Sequence, residues 1–130
     1  MPRDASSNID FNFNEQSILI TGAGGSIGSE LCRQLMSSKS KRLVLYEISE
    51  FNLYSIKQEL DQINIVNKTN IEICDVLGDI KNNERLKGII QKYNIDSIYH
   101  AAAYKHVPIV ENNSVEGLFN NIVSFSSPYL

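Results

Sequence analysis

Short apolar runs alternate with longer periodic stripes along this chain. Ser17–Thr21, with Ile18, Leu19 and Ile20, reads as a first buried strand. From Ser26, the residues Ile27, Leu31 and Leu35 fall on one helix face with Met36 beside the last, and Ser37-Ser38-Lys39-Ser40-Lys41 ends that helix. Arg42–Glu47 reads as a second strand. Ser49 is placed to cap the next helix, although Asn52 is not the Glu or Gln of a full capping box. Leu53, Ile56, Leu60 and Ile63 give that helix its apolar stripe. Asn70–Cys74 alternates as a third strand. A helical pattern then runs from Asp79 through Ile80, Leu86, Ile89, Ile90 and Tyr93. Asp96–Ala101 reads as the fourth strand. The chain is expected to leave the sheet after it and to turn after Pro108, with Ser114 capping a last helix through Leu118 and Ile122.

Strands alternating with helices imply a parallel sheet with right-handed crossovers. Four βα units with a glycine turn after the first strand predict an α/β fold of the Rossmann type, incomplete, with helices on both faces. The expected strand order is 3-2-1-4, with a ligand crevice at the carboxyl ends of strands one and four. Residues 1–16 read as a polar arm in which Phe11 and Phe13 are the large apolar groups. Residues 17–123 read as the half-domain, and 124–130 as an aberrant tail.

Composition narrows the classes. The chain has 130 residues, 42% of them hydrophobic, enough for one domain with a core. A net charge of −3 argues against general affinity for nucleic acid or anionic membrane. Cys32 and Cys74 make no disulfide framework and suit a reducing compartment. No apolar run reaches the length of a membrane span and no signal peptide is visible, so the cytoplasm is the expected location.

Candidate chemistry falls at the strand ends. In Thr21-Gly22-Ala23-Gly24-Gly25-Ser26-Ile27-Gly28, Gly22 suits a tight turn out of the strand. Gly25 lets backbone approach a diphosphate, and Gly28 lets the new helix pack closely, its N-terminus offering N–H groups to the anion. The spacing is not G-x-G-x-x-G, and the turn counts because a strand precedes it and a helix follows. Glu47 closes strand two, 19 residues after Gly28, where an acid accepts hydrogen bonds from ribose hydroxyls; the alternative is a solvated carboxylate. Asp75-Val76 closes strand three, where the carboxylate suits an adenine amino group and the Val76 backbone its ring; an ordinary turn Asp is the alternative. Ala101-Ala102-Ala103 leaves room for a flat ligand, or simply packs. Lys105 stands at the rim as a phosphate partner or a solvated lysine. His100 reads as packing or hydrogen-bonded structure; it and His106 lack the spacing of a metal site.

Three stretches resemble one family: Thr21 to Leu31, Ser49-Glu50-Phe51-Asn52-Leu53-Tyr54, and His100-Ala101-Ala102-Ala103-Tyr104-Lys105-His106-Val107-Pro108. They are similar to the polysaccharide-biosynthesis branch of the extended short-chain dehydrogenases, the nucleotide-sugar 4,6-dehydratases of the CapD type. The resemblance runs from about Ile18 to Ile122. It implies a UDP-N-acetylglucosamine-like substrate and a bound NAD(P). Of the two dinucleotides NAD is favoured on charge, because a 2′-phosphate would stand against Glu47 with no Arg or Lys between Glu47 and Asn52 to offset it. The resemblance implies that Gly25, Ser26, Ile27 and Gly28 hold the diphosphate and that Glu47 to Asn52, Ser49 included, surround the ribose. Asp75 and Val76 then meet the adenine, Ala101 and Ala102 line the cofactor, and Lys105 faces cofactor and substrate phosphates. A homo-oligomer is expected of the complete protein.

The chain departs from the family pattern after Asn120-Asn121-Ile122-Val123. Ser124 and Phe125 stand where Gly and Thr are expected, and Pro128 breaks the helix pattern. The family's catalytic segment lies beyond this point. The chain therefore reads as a truncated, frame-shifted or partial product, inactive as given and with no catalytic residue assigned. Two other readings share the scaffold: a nucleotide-sugar epimerase or reductase, and a non-catalytic dinucleotide-binding module.

Overall fold

The structure is a computed structural model and describes residues 15–101 and 105–109. Its elements are β1 (Ser17–Thr21), α1 (Ser26–Leu35), β2 (Arg42–Glu47), α2 (Glu50–Asn67), β3 (Glu72–Leu77), α3 (Asn83–Lys92), β4 (Ser97–His100) and β5 (Lys105–Pro108). They form one sheet in the order β3-β2-β1-β4-β5. The pairs β1/β2, β1/β4 and β2/β3 are parallel, with Leu19 opposite Val44 and Ile98, and Leu45 opposite Asp75. The expected 3-2-1-4 order is present, and β5 is added to it.

Every residue of β1 is buried, as in a central strand covered on both faces. Alternate residues feed two cores. Ile18, Ile20, Leu43 and Leu45 pack with Cys32 and Leu35 of α1 and with Leu53, Ile56 and Leu60 of α2. Leu19, Val44, Tyr46, Val76 and Ile98 pack with Leu86, Ile89 and Ile90 of α3. At the amino ends of the strands, Arg42 ties four elements together. Its guanidinium donates to Glu72 of β3, Ser17 of β1 and the Tyr93 carbonyl after α3.

Several boundaries differ from the sequence reading. β3 runs to Leu77, so Asp75 and Val76 lie within the strand rather than closing it. α3 starts at Asn83, because the Asn82 side chain caps it at the Arg85 N–H, while Asp79 turns the loop by accepting from the Lys81 N–H. α1 buries Gly28, Cys32 and Leu35, and Ile27 is 40% exposed, outside the apolar face assigned to it. The chain does not leave the sheet after β4. It doubles back as β5, antiparallel to β4 from His100↔Lys105 to Ser97↔Pro108. Phe11, Phe13, Ala102, the helix expected after Ser114 and the 124–130 tail lie outside the described residues. Among the described residues no helix is long and apolar enough to cross a membrane.

Candidate functional site

Parallel strands bring their carboxyl ends to one rim, and the turn after β1 sits at the point where the order reverses between β2 and β4. Gly22 leaves β1 at φ +70°, a backbone region that side chains disfavour. The N–H groups of Gly22 and Ala23 both donate to the Tyr46 carbonyl, at 2.8 and 3.2 Å, which hangs the turn on the end of β2. Gly25 caps α1 with extended backbone and no side-chain bond. Ser29 closes the first helical bond, its N–H donating to the Gly25 carbonyl at 2.8 Å. The N–H groups of Ser26, Ile27 and Gly28 therefore stand at an open helix terminus.

The glycines of this turn serve different neighbours. A Cβ on Gly28 would lie 1.9 Å from the Gly22 carbonyl oxygen, so α1 is pressed onto the turn itself. A Cβ on Gly24 would lie 2.6 Å from the Asn52 Cβ, so the turn is also pressed onto α2. A Cβ on Gly25 would meet only the Gly22 carbonyl oxygen, at 3.5 Å. The space around it is otherwise open.

Glu47 is 7% exposed at the end of β2. Its Oε1 accepts from the Gly24 N–H at 2.8 Å and its Oε2 from the Ser49 N–H at 2.9 Å. This carboxylate is not a solvated surface group. Ser49 caps α2 as expected, its Oγ accepting from the Asn52 N–H at 3.2 Å. The rim thus joins Gly22, Gly25, Ser26, Ile27, Gly28, Glu47, Ser49 and Asn52.

Asp75 is exposed on the neighbouring strand, and Val76 is buried under α3. The loop after β3 is fastened to β2. The Gly78 N–H donates to the Glu47 carbonyl at 2.9 Å, and the Tyr46 hydroxyl donates to the Asp79 carbonyl at 2.7 Å. The Tyr46 ring lies against Gly78, where a Cβ would sit 2.5 Å from it. Burial pushes the Tyr46 hydroxyl above its ordinary pKa. An open groove of ≈ 750 Å³ is lined by Asp75, Val76 and Leu77 of β3, by Ile89 of α3 and by Tyr93 just after that helix.

Ala101 is buried beside the turn, 3.8 Å from where a Gly22 Cβ would stand. Lys105 opens β5 opposite His100, and its side chain lies outside the described residues. His100 is hydrogen-bonded structure: its Nδ1 and the Thr21 Oγ1 are 2.6 Å apart inside the sheet. Burial lowers its pKa and favours the neutral ring.

Sequence reasoning missed the roles of Gly24, Tyr46 and Gly78, and it placed His100 in hydrogen-bonded or packed structure without finding its partner Thr21. The extra glycine at position 24 was the one visible signal. The others act through neighbours that only the sheet order brings together.

A parallel sheet with a glycine turn at its switch point and an acid closing β2 defines a protein of the Rossmann class. The family of polysaccharide biosynthesis proteins matches residues 18–127, and the chain belongs to that family. The capsular polysaccharide biosynthesis protein CapD of Staphylococcus aureus is 39% identical over 115 residues, which are 88% of this chain and 19% of that protein. A UDP-N-acetylglucosamine 4,6-dehydratase (inverting) of Campylobacter jejuni is 33% identical over 112 residues, 85% of this chain and 30% of that enzyme. The chain thus spans less than a third of these relatives. A short-chain dehydrogenase/reductase from Burkholderia phymatum, solved in complex with NAD, shares the fold at a TM-score of 0.54 and 24% identity, covering 65% of this chain and 27% of that one.

Proposed function

We propose that this chain is the NAD-binding portion of a nucleotide-sugar 4,6-dehydratase, acting on UDP-N-acetylglucosamine or a close relative in the synthesis of a surface polysaccharide. The observation that carries it is the open space at Gly25 over the N-terminus of α1. The family and the dehydratase among its relatives support the reaction class.

In this reading Gly25 to Gly28 hold the diphosphate: the N–H groups of Ser26, Ile27 and Gly28 donate to it, and Gly25, whose own N–H donates to the Gly22 carbonyl at 3.1 Å, leaves it room. Glu47 accepts from the ribose hydroxyls with the lone pairs that its two backbone donors leave available. Ser49 and Asn52 border the ribose. Asp75 takes the adenine amino group beside the Val76 backbone, and Ala101 and Ala102 give the cofactor a flat wall. Lys105 meets cofactor and substrate phosphates. The dinucleotide, when bound, takes hydride from sugar C4 and returns it at C6 after water is lost. NAD is preferred to NADP, because a 2′-phosphate would meet Glu47. Swinging that carboxylate aside would strip acceptors from the Gly24 and Ser49 N–H groups.

The test uses the protein at its natural length, purified from its own source. Incubated with UDP-N-acetylglucosamine and NAD, it is expected to give a 4-keto product lighter by one water, read by mass spectrometry. Substrate returned unchanged, or changed only in the configuration at C4, refutes the dehydratase reading.

A further inference from the structure

We infer that Glu47 is a positioning residue for the glycine turn, bridging the turn to the first turn of α2 before any ligand arrives. The ligand that the turn then receives rests on the dinucleotide reading; the bridge itself does not. The two carboxylate oxygens are divided between the N–H of Gly24, in the turn before α1, and the N–H of Ser49, the cap of α2. Both helices begin at this rim, so the carboxylate lies where two positive helix ends converge. It is buried, and the glycine turn touches α2 directly at Asn52. The bonds shown for these two N–H groups are to Glu47 alone. Removing one oxygen leaves a donor without an acceptor in a packed junction.

A carboxylate that merely meets a ribose hydroxyl would matter only to ligands that carry a ribose. A carboxylate that holds the turn also matters to a ligand without one. Glu47→Gln offers one oxygen and one NH₂ group, so it serves one of the two N–H groups and sets a donor against the other. Glu47→Asp keeps the charge but is one methylene shorter and cannot span both.

The test measures amide hydrogen exchange by NMR on the empty, full-length chain, with inorganic pyrophosphate as the binding probe. In the wild type, both the Gly24 and the Ser49 amides are expected to be protected. In each variant at least one of them is expected to exchange about 10-fold to 100-fold faster, the equivalent of one charge-assisted hydrogen bond. The strand amides of Leu19 and Val44 keep their rates, and pyrophosphate binds more weakly. Wild-type amides at Gly24 and Ser49 that exchange as in an unstructured peptide overturn the inference, whether or not the variants fold. So do variants in which both amide rates and pyrophosphate affinity are unchanged while NAD affinity falls. If the exchange pattern is as expected and NAD does not bind the wild type, the bridge stands and the dinucleotide reading falls.

Discussion

Three glycine substitutions separate packing from ligand space in the turn. In Gly28→Ala the new Cβ would lie 1.9 Å from the Gly22 carbonyl oxygen and 2.7 Å from its carbon. Non-bonded heavy atoms settle at about 3.5–4.0 Å, and both obstacles are backbone. The turn must withdraw from α1, an overpacking cost of about 3 kcal/mol. Alanine returns about 1 kcal/mol of helix propensity. The net loss is about 2 kcal/mol, or roughly 6–12 °C in Tm for a chain of 130 residues. Gly88→Ala is the control, because Gly88 lies inside α3 with nothing within 4 Å of the added Cβ. It is expected to gain about 1 kcal/mol. Gly25→Val enters open space, so it loses only about 1 kcal/mol at the N-cap. In the proposed site it would occupy the diphosphate position, however, and the loss of two charge-assisted hydrogen bonds is expected to weaken NAD by about 100-fold or more. Thermal unfolding and calorimetric NAD titration of the four proteins read the pattern. Gly28→Ala as stable as wild type, or Gly25→Val binding NAD normally, refutes the reasoning.

Titration of NAD and NADP should show NAD preferred by roughly 5-fold to 10³-fold, since like charges at about 4 Å cost roughly 1–4 kcal/mol. Glu47→Gln should narrow that ratio, and an unchanged ratio would show that Glu47 is not the selector. His100 is held neutral by burial, so the unfolded chain takes up its proton first as pH falls through about 6.5. Its contribution to stability is complete above that pH and is lost below it, at up to about 1.4 kcal/mol per pH unit. Urea unfolding at pH 7.5 and 5.5 checks this, and a loss as steep in His100→Gln as in the wild type would count against it. Burial pushes the Cys32 thiol up to about 12 and the Cys74 thiol up to about 11, so neither should react readily with iodoacetamide at pH 8 until the chain unfolds. Rapid alkylation of the folded protein would contradict that burial.

The sequence made the Rossmann-type sheet and its 3-2-1-4 order legible, because apolar runs alternate with helical stripes and parallel crossovers leave few topologies. β1 and β2 have the bounds that their apolar runs predicted, and Ser49 caps α2 where a serine before an apolar stripe should. Gly22 takes the left-handed turn that its place after a strand required. β3 was displaced because it is an edge strand, where exposed Asp75 and half-exposed Leu77 blur the alternation. Ile27 was assigned to the buried face of α1, but the turn geometry rotates Gly28 and Cys32 inward instead. β5 escaped because four residues ending in proline carry little strand signal, and its partner β4 precedes it across a short loop. The setting of Glu47 was the deepest omission. Residue type and spacing placed a carboxylate at the crevice, but its partners are main-chain N–H groups. Only the packing of the turn onto α2 supplies them.

The most direct measurement is an NMR titration of the empty chain with NAD, following each backbone amide. The account predicts the largest saturable shifts at Gly22 to Gly28, with a second set from Glu47 to Asn52 and a third at Asp75 and Val76. It also predicts that the turn shifts vanish in Gly25→Val while the spectrum of the sheet is kept. No saturable change at the turn, or changes confined to the β3–α3 groove near Ile89 and Tyr93, would contradict it.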